Sequence, residues 1–90
     1  MEKIQEKELI SNSIDSSEIR QLILFNDDVN DFDFVISCLI EICRHAHEQA
    51  EQCAMIAHFK GKCAVFSGSF EELKPMFDEL TRRNLSMEIK

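Results

Sequence analysis

The sequence predicts a small α+β domain, with strands and helices in the order β-α-α-β-α-β. Three observations carry that prediction. A near-continuous apolar run, Leu22-Ile23-Leu24-Phe25, stops abruptly at Asn26-Asp27-Asp28. Two later stretches, 34–43 and 73–80, repeat apolar residues at three- and four-residue spacing, the period of a helix face. The segment 85–89 then alternates apolar and polar residues, as a half-buried strand does. Short strands with helices to lie on them make a two-layer domain.

Each element has its own grounds. Residues 1–18 are rich in Glu, Lys and Ser, and their scattered Ile and Leu keep no period, so a flexible tail is expected before a domain at 19–90. The first strand spans 20–25, and its apolar continuity predicts burial on both faces. A polar loop, 26–31, follows, in which Asn30 or Asp31 can cap the next helix. Phe34, Val35, Cys38, Leu39, Ile42 and Cys43 form one face of that helix. Arg44-His45-Ala46-His47 interrupts it as a polar turn. A second helix, about 48–58, carries Ala50, Cys53, Ala54 and Ala57 along one side, with Met55 and Ile56 broadening the apolar face. Lys60-Gly61-Lys62 is a turn and 63–66 a short strand. Ser69 with Glu72 matches the capping box of a third helix. Pro75 sits awkwardly there and implies a distorted first turn, or a regular helix starting near Lys74. Leu73, Met76, Phe77 and Leu80 are its buried stripe. Arg82 and Arg83 complement the dipole at its end, and Asn84 fits a left-handed cap.

Composition narrows the function. Ninety residues make one small domain, and a 44% apolar fraction allows a modest core. The net charge of −7, from 10 basic and 17 acidic residues, argues against nucleic acid and anionic membranes as partners. It favours a cationic group or a basic protein patch. No apolar run approaches the roughly 18–20 residues of a membrane span, and the first residues lack a signal peptide's pattern. A cytosolic address is expected, with Cys38, Cys43, Cys53 and Cys63 reduced.

Chemistry-bearing patterns are few. Cys43, His45, His47 and Cys53 lie near one another, but their spacing is not that of a structural zinc site. No cysteine sits in an electropositive, exposed context that would make it a nucleophile. Two glycines exclude a glycine-rich phosphate cradle. Neither metal, cofactor nor catalysis is expected. Asn26-Asp27-Asp28 can be ordinary turn chemistry. With Phe32 and Val35 just beyond, it also describes acceptors beside an apolar surface, a receptor for an amphipathic cation. His58, at the end of the second helix, can bond the last carbonyls or join such a site.

Three motifs together, Leu24-Phe25-Asn26-Asp27-Asp28, Phe32-Asp33-Phe34-Val35 and His58-Phe59-Lys60-Gly61-Lys62, resemble the ClpS adaptor family over about 21–90. The resemblance implies a small α/β sandwich whose three-stranded sheet is antiparallel. It implies a non-catalytic, monomeric adaptor that binds proteins beginning with Leu, Phe, Tyr or Trp and delivers them to a ClpA- or ClpC-type AAA+ unfoldase with ClpP. On it, Asn26, Asp27 and His58 hold the ligand's α-amino group, with Asp28 completing the motif and Asn30 able to add a hydrogen bond. Phe32 takes the gatekeeper position, commonly Met. Val35, Ala54, Ala57 and Leu85 line the side-chain pocket, and Glu71, Glu72 and Lys74 contact the unfoldase. The family's usual Thr-Pro ahead of the gatekeeper is Asn30-Asp31 here, and Ala54 and Ala57 replace larger residues, which implies a wider pocket. The competing expectation is a structural or assembly domain that packs on a larger partner and binds no degron, with the acidic loop bonded only to itself.

Overall fold

The computed structural model describes residues 18–90, so the expected tail lies outside the described residues except for Glu18. The elements are β1 (Arg20–Phe25), α1 (Phe32–Cys43), α2 (His47–Lys60), β2 (Lys62–Gly68), α3 (Phe70–Arg82) and β3 (Ser86–Ile89). This is the predicted order, and the class is α+β. The sheet is antiparallel, in the order β2-β1-β3.

The central place of β1 explains its apolar continuity. It pairs with a strand on each side, and Leu22, Ile23 and Leu24 are all buried. Leu22 and Leu24 join Leu39, Leu73, Leu80, Val65 and Leu85 in one core between the sheet and the helices. The ladder closes at its far end, where the Lys90 N–H donates to the Gln21 carbonyl at 2.8 Å.

The helix ends follow from local chemistry. Asp31, not Asn30, caps α1, its carboxylate accepting from the Phe34 N–H at 2.8 Å. Gly61 closes α2 with a φ of 97°, a left-handed turn that glycine adopts without steric penalty. Ser69 and Glu72 form the full capping box, so α3 starts at Phe70. The regular helix does not wait for Lys74: α3 begins at Phe70 and continues through Pro75. The proline removes only the bond to the Glu71 carbonyl, and both residues are exposed, so water can serve that oxygen.

Several sequence expectations shift. Met55 and Ile56 face solvent rather than widen the buried face of α2, which is made of Ala50, Cys53, Ala54 and Ala57. His45 is not part of a solvated turn. It is 5% exposed, and its Nε2–H donates to the Val65 carbonyl at 2.7 Å, pinning the α1–α2 turn to β2. Arg83 does more than complement a dipole: it bonds Glu41 of α1 at 2.8 Å and Glu79 at 3.2 Å, tying the end of α3 to α1.

Candidate functional site

The loop between β1 and α1 is built around one carboxylate. Asp27 Oδ1 accepts from the backbone N–H groups of Val29 at 3.0 Å and Asn30 at 2.9 Å, folding the loop into a tight turn. Asp27 Oδ2 accepts from the Asn30 side-chain amide at 3.0 Å. Burial alone would raise the Asp27 pKa, but the bonds from the Asn30 backbone, the Asn30 side chain and the Val29 backbone outweigh it and hold it below the ordinary value of 3.8. The carboxylate is thus charged, and Oδ2 keeps a lone pair beyond its bond to Asn30. The Asn26 N–H donates to the Gly61 carbonyl at 2.9 Å, which fixes the loop's start against the end of α2.

A cleft of about 410 Å³ opens beside this loop. Asn26, Asp27, Asp28 and Asn30 line one side; Phe32 and Val35 come from the first turn of α1, and Ala54, Ala57 and His58 from α2. The last turn of α2 therefore borders the cleft, and its carbonyl end adds negative potential there. The side chains of Asn26, Asp28 and His58 have no hydrogen-bond partner among the described residues. The His58 ring stands edge-on to Phe59, with centroids 4.8 Å apart. The arrangement offers acceptors at one rim and apolar walls below, suited to a cation that carries a bulky hydrophobic group.

Most residues expected at the site meet in this cleft. Leu85 does not: it is 3% exposed and packs in the core, because the turn before β3 points it inward. Leu24 and Phe25, read from the sequence as strand core, also line the cleft, and their adjacency to Asn26 was the available signal. Glu71, Glu72 and Lys74 lie exposed on α3 and none lines the cleft; Glu72 serves the capping box, and Lys74 pairs with Asp78 at 2.7 Å. Cys43 and Cys63 are poor nucleophiles. Burial pushes the Cys43 thiol up to about 12, and burial with the neighbouring Cys53 pushes Cys63 to about 12.

Comparison with known proteins gives a consistent answer. Residues 16–88 match the model of the family described as ATP-dependent Clp protease adaptor protein ClpS. The ATP-dependent Clp protease adapter protein ClpS of Nitratidesulfovibrio vulgaris (strain DSM 19637 / Miyazaki F) is 31% identical over 68 residues, covering 73% of this chain and 68% of that protein. Among solved structures, Agrobacterium tumefaciens ClpS2 bound to L-phenylalaninamide superposes with a TM-score of 0.71 at 20% identity, over 82% of this chain and 96% of that one. At that identity the superposition establishes the shared fold.

Proposed function

The chain belongs to the ClpS family of Clp protease adaptors, and from that membership we propose that its cleft receives the N-terminal residue of substrate proteins for delivery to a Clp unfoldase. The ligand's α-ammonium is held at Asn26, Asp27 and His58. Its large apolar side chain, that of Leu, Phe, Tyr or Trp, enters between Phe32, Val35, Ala54 and Ala57. The protein performs no catalysis; a ClpA- or ClpC-type unfoldase, with ClpP, degrades what it delivers.

The observation that carries this reading is the cleft itself, which sets a charged carboxylate, and polar side chains with no partner among the described residues, at the rim of an apolar pocket. Phenylalaninamide, the ligand of the related fold, combines a free α-amino group with a bulky side chain. The energetics require both halves. An α-amino group titrates near pH 8 and is mostly charged at neutrality. Charge-assisted hydrogen bonds contribute about 1.5–3 kcal/mol each, and burying a Leu or Phe side chain roughly 1.5–3 kcal/mol. Micromolar affinity needs about 8 kcal/mol after the cost of association is met, so neither half suffices. An internal peptide brings an amide and more chain where the ammonium belongs, and is excluded.

A peptide beginning with Phe should bind, and its N-acetylated twin should not. Fluorescence anisotropy with the two peptides decides it, and equal affinities would defeat the reading. They would favour the structural or assembly role, in which Asp27 serves only its own loop.

A further inference from the structure

Asn30 lines the cleft, but its side-chain amide is already engaged by the protein. Its side-chain nitrogen lies 3.0 Å from Asp27 Oδ2 and 2.8 Å from the backbone carbonyl of Asn84. Both partners are acceptors, so only the amide NH₂ can serve them, one hydrogen to each. A single side chain therefore joins the acidic loop to the turn between α3 and β3, 54 residues away in sequence.

That turn is firmly held. Asn84 adopts a φ of 72°, its N–H donates to the Thr81 carbonyl at 2.9 Å, and the next N–H, of Leu85, donates to Leu80 at 3.1 Å. Leu85 is buried in the core. Arg83 at the same turn bonds Glu41 on α1, the helix that carries Phe32 and Val35. The acidic loop and α1, two walls of the cleft, are thus each tied to this turn, the loop through Asn84 and α1 through Arg83.

We propose that Asn30 and the Asn84 turn form a latch that positions the Asp27 carboxylate for the ligand's α-ammonium. Asn30 is then a positioning residue, and the α3–β3 turn determines amino-group recognition without touching the ligand. The latch rests on the N-terminal-residue reading for its purpose but on the hydrogen bonds alone for its existence.

Two measurements test it. The first compares a Phe-starting peptide with its desamino analogue, which begins with 3-phenylpropionyl and lacks only the α-amino group. The ratio of their affinities measures amino-group recognition. Asn30→Asp keeps the side chain's shape but sets an oxygen against two acceptors, and Asn30→Ala removes it; each should lower the ratio at least tenfold. Asn84→Val, which disfavours the left-handed turn, should lower it in the same direction. A merely structural residue would weaken both peptides alike. The second measurement, NMR titration of the Asp27 carboxyl without ligand, should show its pKa rising toward the ordinary value in Asn30→Ala. An unchanged ratio in both Asn30 variants, or an unmoved Asp27 titration, overturns the latch. A wild type that binds both peptides equally would defeat the N-terminal-residue reading instead, and the Asp27 titration would still decide the latch.

Discussion

Under the proposed function Asp27 carries two duties that pull in different directions. Its Oδ1 is committed to the turn, and its Oδ2 is shared between Asn30 and any cation in the cleft. Asp27→Ala should therefore weaken binding of a Phe-starting peptide at least tenfold while the domain stays folded. The core lies elsewhere, and water can serve the Val29 and Asn30 N–H groups once the carboxylate is gone, since Val29 is 84% exposed. Titration calorimetry alongside a thermal melt separates the two effects; unchanged affinity would confine Asp27 to the loop. At this scale the sequence was readable where identity alone defines the role. Asn26, Asp27, Phe32, Val35, Ala54, Ala57 and His58 all meet in the cleft. The Asn84 acceptor is a backbone carbonyl, which every residue has, so no side chain announces it. The buried duty of His45 was hidden for a related reason, because its partner on Val65 is also a carbonyl.

Among the elements, α2 decides how wide the cleft is. Its inner face is built from Ala50, Cys53, Ala54 and Ala57, small residues that let it lie close to β2 and α1 while leaving space beside Val35. Phe32, at the mouth, is 39% exposed and opposes that space from the first turn of α1. A pocket widened at its wall should accept Trp as well as Leu or Phe. Ala57→Leu should fill the space and cut binding of a Trp-starting peptide at least tenfold, with a smaller loss for Leu. A peptide panel by anisotropy checks this, and a wild type that strongly prefers Leu over Trp would show that other side chains already occupy the room. Element boundaries were legible where caps are local, as at Ser69-Glu72 and Gly61. They were less so for β2, which runs to Gly68 rather than to 66, because its ends are set by pairing with Arg20 and Phe25 on β1 rather than by its own residues. Pro75 misled for a similar reason: packing of Leu73 and Leu80 holds α3 in register across the missing hydrogen bond.

The molecule as a whole carries a net charge of −7, and its cleft is lined by Asp27 and Asp28, with Asp31 and Asp33 next in sequence at the start of α1. Lys60, the last residue of α2, and Lys62, the first of β2, flank Gly61, which is bonded to the Asn26 N–H, and offset only part of that charge. A ligand led by a positive α-ammonium should be steered toward the acidic rim, because like-signed charges lining a cleft raise the encounter rate with an oppositely charged partner. Screening then makes a specific demand on the kinetics. The Debye length falls from about 30 Å at 0.01 M salt to about 3 Å at 1 M. The rim's field reaches an approaching peptide only at the low end of that range. In the proposed seating on Asn26, Asp27 and His58 the ammonium's hydrogen bonds act at contact, over distances below the Debye length at any of these concentrations, so salt touches them far less. The association rate of a Phe-starting peptide should fall severalfold between those salt concentrations, while the dissociation rate changes little. Stopped-flow fluorescence at a series of ionic strengths reads both rates. A salt-independent association rate would mean that the acidic surface plays no part in capture, and that recognition begins only at contact.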